Sequence, residues 1–404
     1  MKERIWLVSE VFYPDTDIAS GNIATEIARK FSEIYEVHVI CGPKDYGVKT
    51  GNITDHLGEG IVFHRWKYFN FDKNHSLKRL IRVIGVSFGL FILGFKIKKG
   101  EKAFVISNPA FITPLYAFLK FFKDFRYILL MHDVFPENLI AGEYTKESSL
   151  VYKTIKKLFI RSRTSAEKII VIGRDMKALL LKGFPLYRHD DIQVIPNWAD
   201  VENVVPEPFS GNEIIRKLHL EDKIVTLFAG NHGILQNIRS FLSIIEKIEN
   251  PVLHFVFAGG GSEKPVLEKY ASEKRLNNVS FIPAFPRKDL NKMMNACHIG
   301  LVSLSDRLYG VGVPSKSYNI LGAEKPILFL GNKNTEIPQF ILENGMGWAF
   351  SYAEAAAIID FFNHLNVTSL VEVTEKGKKG REIVVSQCSK ERVLEKLTKF
   401  VSGI

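Results

Sequence analysis

A lysine stands at the start of a short predicted helix, directly after a turn rich in glycine and proline. Ser315 and Lys316 lie within residues 310–326, between two apolar runs that favour strands, residues 299–304 and 326–330. The first turn of a helix has unpaired backbone N–H groups and a partial positive charge, and a lysine there adds a full charge. The pattern predicts a phosphate site, with a solvated lysine in an ordinary strand–loop–helix turn as the alternative.

Glycines follow two further predicted strands. Gly230 and Gly233 come after residues 224–229, and glycine lets a backbone approach a phosphate closely. A turn that only begins a helix is the alternative. Residues 259–261 are also glycines after a strand, but they do not fit G-x-G-x-x-G, and no acid ends a strand about 20 residues further on. The sequence therefore argues against a nicotinamide or flavin cofactor.

Polar residues also follow a predicted strand in the first half of the chain. His132 and Asp133 come after residues 127–131, where they could contact a substrate; a hydrogen-bonded histidine remote from substrate and a helix-capping aspartate are the alternatives. Asp15 and Asp17 have the Asp-x-Asp spacing of some metal sites, but they precede the first predicted helix instead of following an internal strand. We therefore predict no metal.

The elements that must position these residues alternate between short apolar runs and helical segments. This alternation is typical of parallel strands with crossover helices, and 404 residues are too many for one ordinary domain. We predict an α/β protein with two doubly wound domains, residues 1–200 and 201–384, joined by a polar linker at residues 200–211. An amphipathic helix is predicted near the C-terminus.

Charge and cysteine content narrow the functional classes. The net charge is +10, and residues 73–102 contain eight basic residues and one acid around an uncharged apolar run, residues 83–95. This run is too short to span a bilayer, so it is either a buried helix or a helix on an anionic membrane surface. No nucleic-acid motif is present. Three widely spaced cysteines and the lack of a signal peptide predict a reduced, cytoplasmic protein without disulfides.

Several of these segments together resemble the family-4 glycosyltransferases of the GT-B fold. The segment around Lys316 is similar to the P-S-K-x-Y-E-x-x-A-x-G-K-P motif of that family, although Asn319 and Val311 stand where the family has glutamates. The loop after Gly230 resembles a G-N-x-G-x-x-Q version, and Asp133 begins a D-x-W/F-P-E segment. Both variants are typical of the branch that builds bacterial capsule and O-antigen, which includes fucosamine transferases.

The resemblance implies specific roles for individual residues. It implies two Rossmann-like domains facing across a cleft, with the C-terminal helix, residues 385–404, packing back on the first domain. His132 and Asp133 would be the catalytic-site residues, and Gly21 and Asn22 would form the loop near the diphosphate and the acceptor. The residues implied to bind the donor are Gly230, Asn231, Gly233, Gln236, Ile282, Pro283, Arg307, Ser315, Lys316, Tyr318 and Asn319.

The implied function is transfer of a sugar from a nucleotide-diphosphate donor, preferably UDP, to a polyprenyl-diphosphate-linked saccharide. The resemblance implies retention of the anomeric configuration without metal or cofactor. The basic, apolar flank of the first domain would hold the enzyme at the inner face of the plasma membrane. Val311 cannot hydrogen-bond a sugar hydroxyl, which suggests a 6-deoxy or amino sugar, or a loss of activity. A non-catalytic partner subunit at the membrane and a sugar-nucleotide epimerase of the same fold are the alternatives.

Overall fold

The computed structural model divides the chain into two compact units. The described residues are 2–12, 19–43, 60–68, 76–183, 187 and 189–404. The first unit comprises Met1–Ile195 and Leu394–Ile404, and the second comprises Pro196–Val393. Each unit is built around one parallel sheet.

Within the described residues, seven parallel strands form the first sheet, in the order β3-β2-β1-β4-β5-β6-β7. These strands are Arg4–Ser9 (β1), Glu36–Cys41 (β2), Ile61–Arg65 (β3), Lys102–Ile106 (β4), Arg126–Met131 (β5), Lys168–Val171 (β6) and Ile192–Val194 (β7). The helices are Ala19–Ser32 (α1), Ser76–Gly94 (α2), Ile112–Lys123 (α3), Glu137–Ala141 (α4), Leu150–Thr164 (α5) and Arg174–Gly183 (α6). The strand order reverses between β1 and β4.

The second unit, all of which is described, contains a six-stranded parallel sheet in the order β10-β9-β8-β11-β12-β13. Its strands are Ile224–Ala229 (β8), Leu253–Ala258 (β9), Val279–Ile282 (β10), Ile299–Ser303 (β11), Ile327–Leu330 (β12) and Gly347–Phe350 (β13). Its helices are Glu213–Leu218 (α7), Ile238–Ile245 (α8), Lys264–Glu273 (α9), Leu290–Met294 (α10), Lys316–Gly322 (α11), Glu336–Glu343 (α12), Ala355–His364 (α13) and Leu370–Gln387 (α14).

The second sheet has a hydrophobic core on each face. All six residues of β8 are buried, as expected for a central parallel strand covered by helices on both sides. Helix α8 buries Ile238, Phe241, Leu242 and Ile245 at helical spacing against one face. On the other face, Gly300 of β11 leaves room for α11, because a Cβ at that position would clash with the side chain of Ile320.

Residues 200–211, which the sequence predicts as a linker, are fastened to the second unit. Val204 is fully buried. The side-chain amide of Asn295 donates to the carbonyl of Val205 at 2.8 Å and accepts from the backbone N–H of Glu207 at 2.9 Å. Apolar burial and satisfied backbone groups therefore make this segment part of the second unit.

The boundary between the two units falls within the last helix, Lys390–Ser402 (α15). Residues up to Val393 belong to the second unit, and those from Leu394 belong to the first. In the first unit, Ser402 Oγ lies 3.0 Å from the hydroxyl of Tyr35, and the carbonyl of Val401 accepts from Lys102 Nζ at 3.4 Å.

The predicted architecture of two doubly wound parallel sheets is confirmed. Two details differ from what the sequence predicts. The sequence predicts a first helix from about residue 22, whereas helix α1 begins at Ala19, and strand β13, Gly347–Phe350, lies where the sequence predicts no strand. Within the described part of the chain, no helix combines the length and apolar character that crossing a bilayer requires.

Candidate functional site

The residues with the chemistry of an anion site lie at the carboxyl ends of β8 and β11. These strands are neighbours, although they are separate in sequence, and the strand order reverses between them. Ligands of doubly wound sheets bind in the crevice at such a reversal. The loop 230–237 follows β8, and the segment 304–315 leads from β11 to α11, which begins at Lys316.

Lys316 has a partly buried ammonium group with no anionic partner. Its Nζ lies 3.3 Å from the centroid of the Phe228 ring, a cation–π contact. Among the residues that the structure describes, the ammonium forms no hydrogen bond or ion pair. Burial lowers the pKa of Lys316 to about 7. A desolvated cation without a counter-ion favours binding of an anion.

Two glycine-containing loops stack backbone against backbone beside this lysine. Gly230 has φ 152° and Gly259 has φ 139°, and a Cβ at Gly259 would clash with the carbonyl oxygen of Gly230. The N–H of His232 donates to the carbonyl of Gly260 at 2.7 Å. A Cβ at Gly230 would lie 3.5 Å from Lys316 Nζ, so the bare backbone leaves space directly beside the lysine.

His232 forms the buried side of this loop. Its ring is fully buried and stacks on Phe228, with ring centroids 5.5 Å apart. Burial, together with the nearby charges of Lys264 and Lys316, lowers the pKa of His232 to about 4. At neutral pH the imidazole is therefore uncharged and adds no positive charge of its own to the site.

Ile282 and Pro283, which the resemblance implies bind the donor, lie at and directly after the end of β10. The carbonyl of Ile282 accepts from Lys264 Nζ at 2.8 Å and from the N–H of Gly259 at 3.1 Å, so both of its lone pairs are used. Pro283 is exposed and has no N–H to donate. Lys264, which sequence reasoning did not assign, thus holds the ends of β9 and β10 together.

Two predicted donor residues use their side-chain oxygens inside the protein. Gln236 Oε1 accepts from the N–H of Gly233 at 3.1 Å, which closes the turn of the loop. Asn319 Oδ1 accepts from the N–H of Asp200 at 2.9 Å. Each therefore retains its amide NH₂ group for a ligand, and Asn231 is exposed in the same loop.

The other predicted donor residues have different surroundings. Tyr318 is buried in the hydrophobic core of the second unit, and Val311 is also buried. Arg307 lies exposed in the segment between β11 and α11. Ser315 immediately precedes α11, and its side chain forms no capping hydrogen bond. The structure therefore brings Lys316, Ser315 and the glycine loop together, whereas the ring of Tyr318 packs into the core.

In the first unit, the predicted residues follow β1 and β5. Gly21 and Asn22 lie in the first turns of α1, where the carbonyl of Gly21 accepts from Thr25 Oγ1 at 2.9 Å. The N–H of His132 donates to Ser107 Oγ at 3.2 Å, and burial lowers the pKa of its imidazole to about 4. Desolvation raises the pKa of the Asp133 carboxyl. Asp15 and Asp17 lie outside the described residues.

Lys316 gives a prediction about stability and pH. Its pKa is lower in the folded state than the ordinary value of 10.5, so the unfolded chain binds more protons between about pH 7 and pH 10.5, and the free energy of unfolding rises with pH there. Lys316→Met removes this penalty. We expect the variant to be more stable than the wild type at about pH 6, with the difference shrinking by about pH 9.5.

Urea denaturation at the two pH values measures this difference. Lys269→Met, which replaces a lysine whose side chain is 76% exposed, is the matched control and is expected to change stability little at either pH. A Lys316→Met variant that is less stable than the wild type at the lower pH would contradict a partly buried ammonium without an anionic partner.

Comparisons with known proteins agree with this geometry. A family model described as "Glycosyl transferases group 1" matches residues 211–355, which include the glycine loops and Lys316. The probable glycosyltransferase WbjE of Pseudomonas aeruginosa is 32% identical over 309 residues, covering 75% of this chain and 77% of that protein. The putative colanic acid biosynthesis glycosyl transferase WcaI of Escherichia coli K12 is 27% identical over 154 residues, 37% of each chain.

A solved structure shows the same fold over the whole length. The Anabaena protein Alr3699/HepE, crystallised in complex with UDP, superposes with a TM-score of 0.73 at 13% identity and covers 100% of both chains. The two parallel-sheet units are those of the GT-B glycosyltransferase fold. On the extent of its similarity to WbjE and the match to the family model, this chain belongs to the group 1 glycosyltransferases.

Proposed function

We propose that this protein is a retaining glycosyltransferase that transfers a sugar from a UDP-sugar to a lipid-linked saccharide in polysaccharide biosynthesis. The observation that carries the proposal is the unpaired ammonium of Lys316 beside the glycine loop at the reversal of the second sheet. A dianionic diphosphate fits this position, because its oxygens can receive the lysine and nearby backbone N–H groups together.

The proposed chemistry places the developing negative charge next to Lys316. The bond between the anomeric carbon and the β-phosphate oxygen breaks, and a bond to the acceptor hydroxyl oxygen forms on the same face of the sugar. The hydroxyl proton passes to the departing phosphate. Lys316 and the backbone of Ser315 lower the barrier by stabilising the charge on the leaving group, the way preorganised donors act in other enzymes.

The donor base and sugar are inferred from different features. HepE was crystallised with UDP, which supports uracil here. Val311, only 8% exposed, offers no hydrogen bond to a sugar hydroxyl, which supports a 6-deoxy or N-acetylated amino sugar. The Asn319 amide NH₂ and the carbonyl groups after Ile282 are proposed to contact the ribose and base.

Residues of the first unit are proposed to handle the acceptor. His132 Nε2 is buried and has no hydrogen-bond partner within the described residues, and its lowered pKa keeps the ring neutral at pH 7. A neutral imidazole can orient a hydroxyl by donating or accepting one hydrogen bond. We assign His132 and Asp133 this orienting role, with Gly21 and Asn22 near the acceptor, as the family resemblance implies.

A calorimetric titration without added metal tests the donor site. We expect UDP to bind the wild type, and Lys316→Ala to weaken that binding roughly 10- to 150-fold, because a charged hydrogen bond contributes about 1.5–3 kcal/mol. Lys325→Ala is the matched control. This lysine precedes the amino end of β12, whereas the donor site lies at the carboxyl ends of the strands of the same sheet.

The other outcomes of this titration are informative. Binding of GDP instead of UDP would keep the donor site and change its base. If neither diphosphate binds, the protein is a non-catalytic partner subunit. The replacements at Val311 and Asn319 would then explain the loss of nucleotide binding. Binding of NAD would contradict the proposal altogether.

The transfer step has its own test. With UDP-N-acetylglucosamine or UDP-N-acetylfucosamine and a polyprenyl-diphosphate-linked monosaccharide, we expect a disaccharide product whose new linkage has the anomeric configuration of the donor, read by proton NMR. Inverted configuration would refute retention, and release of an epimerised nucleotide sugar without transfer would identify an epimerase. Addition of EDTA is expected to leave the rate unchanged.

A surface of the first unit supports a position at the membrane. Five exposed phenylalanines on and just after α2 and on α3, here called the Phe surface, are linked by ring contacts to each other or to the buried Phe91. Phe121 is 83% exposed and Phe122 is 62% exposed. The Phe surface consists of Phe88, Phe95, Phe118, Phe121 and Phe122. Contiguous exposed aromatics of this size mark an interaction site.

Basic residues after α2 and on α5 favour an anionic bilayer as the partner of the Phe surface. Lys96, Lys98 and Lys99 follow α2, and Lys153 and Lys157 lie on α5, which packs against α3; all five are exposed. Apolar side chains that enter the headgroup region and cations that meet anionic lipids act together in peripheral binding. We therefore propose that the protein docks on the inner face of the plasma membrane, where a lipid-linked acceptor would be found.

Flotation with lipid vesicles tests this docking. We expect the wild type to float with vesicles of equal parts phosphatidylglycerol and phosphatidylcholine but not with phosphatidylcholine alone. Phe121→Ser with Phe122→Ser should weaken flotation by about tenfold or more, because two exposed aromatic rings no longer enter the bilayer. Val367→Ser with Val371→Ser, at exposed apolar positions of the second unit, is the control. Undiminished flotation of the phenylalanine variant would refute the assignment.

A further inference from the structure

We propose that Tyr352 is a positioning residue of the donor site, which fixes the diphosphate loop, residues 230–237, by hydrogen bonds at the loop's C-terminal end. The inference rests on the proposed function only in assigning a diphosphate to this loop. Tyr352 follows β13 and is distant in sequence from the loop and from Lys316. Within the described part of the chain, the Tyr352 side chain hydrogen-bonds neither the loop glycines nor Lys316, so its effect passes through the backbone of the loop.

Three consecutive carbonyl groups of the loop are held by residues of two other segments. The carbonyl of Leu235 accepts from the N–H of Ser305 at 2.8 Å. The carbonyl of Gln236 accepts from Ser303 Oγ, and that of Asn237 accepts from the Tyr352 hydroxyl at 3.1 Å. The hydroxyls of Ser303 and Tyr352 lie 2.6 Å apart. The loop is therefore held at its end by β11, by the residues after β11 and by Tyr352.

Tyr352 is itself anchored to the segment that leads to Lys316. Its backbone N–H donates to Asp306 Oδ2 at 3.2 Å, and the neighbouring Ser351 Oγ donates to the same oxygen at 3.3 Å. Asp306 lies in the segment between β11 and α11. One short stretch of chain thus contacts both halves of the donor site: the Tyr352 hydroxyl bonds the glycine loop, and residues 351–352 donate to the Asp306 carboxylate of the Lys316 segment.

The glycines explain why the loop needs such support. Gly230 and Gly233 have no side chains to pack, and glycine has the widest choice of backbone conformations. A diphosphate held by backbone N–H groups is sensitive to shifts of about 1 Å in their positions. Fixing the carbonyls of Gln236 and Asn237 restricts the loop without placing a side chain in the space beside Lys316.

The hydroxyl pair has fewer protons than contacts. Ser303 and Tyr352 supply one proton each, whereas three oxygen–oxygen contacts connect them to each other and to the two carbonyls. One of the three contacts therefore lacks a proton in every arrangement: either each hydroxyl donates to its own carbonyl, or one hydroxyl donates to the other and one carbonyl is left unbonded. Loss of either hydroxyl leaves the other able to donate to its own carbonyl. Only loss of both leaves the carbonyls of Gln236 and Asn237 unbonded.

This arrangement makes a sharp prediction for a double-mutant cycle. Tyr352→Phe and Ser303→Ala should each weaken UDP binding by about threefold, and the double variant by about fiftyfold, more than the product of the two. Uridine, which lacks the diphosphate, should bind all variants within about twofold of the wild type, measured by ligand-observed NMR. A general loss of structure would weaken UDP and uridine binding together.

Tyr270→Phe is the matched control, because its hydroxyl also forms a hydrogen bond, to Glu246 on the surface of the same unit. It should leave UDP and uridine binding unchanged. If the double variant does not fold, the ratio of UDP to uridine affinity in the two single variants decides the question. Unchanged UDP affinity, or equal losses for UDP and uridine, would overturn the role of Tyr352. Failure of the wild type to bind UDP or GDP would instead overturn the proposed function.

Discussion

The pairing of β8 with β11 is the constraint on which the rest of the second unit depends. Thr226 lies opposite Ile299, and Leu227 lies opposite Gly300, so two strands that are separate in sequence end side by side. Because the carboxyl ends of parallel strands lie at the same end of the sheet, the loop after β8 lies beside the segment after β11. Gly300 contributes a second condition, since the absence of a side chain there lets Ile320, and with it α11, approach the sheet.

At the Lys316 site, the arrangement of charge that favours anion binding lowers the stability of the free protein. The ammonium of Lys316 lies on an aromatic ring instead of beside a carboxylate, and His232 is held neutral beneath the loop. A partly buried cation without a counter-ion lowers the stability of the free protein, whereas an anion that binds beside it forms an ion pair. Natural proteins keep such unfavourable arrangements where binding requires them.

The departures from the family motif have physical consequences that differ by position. Asn319 places its oxygen on the backbone of Asp200, and a glutamate could make the same contact while keeping a second oxygen for a ligand. Asn319 instead keeps only hydrogen-bond donors. Val311 is buried, and its side chain has neither a hydrogen-bond donor nor an acceptor. The replacement at Asn319 thus leaves only hydrogen-bond donors at that position, whereas the replacement at Val311 leaves no hydrogen-bonding side chain.

Local sequence patterns determined the elements, their order and the class of fold, because a strand or helix depends mainly on the apolar periodicity and the glycine and proline residues of its own segment. They also predicted an anion site, because a lysine at a helix start and glycines after a strand can be recognised within short segments of the chain. Tertiary packing alone decided which side chains reach one another. Lys264 bonds the end of β10, Tyr318 turns into the core, and Tyr352 holds a loop 115 residues away in sequence. No short pattern encodes such pairs, because their geometry exists only once the sheet has brought distant strands together.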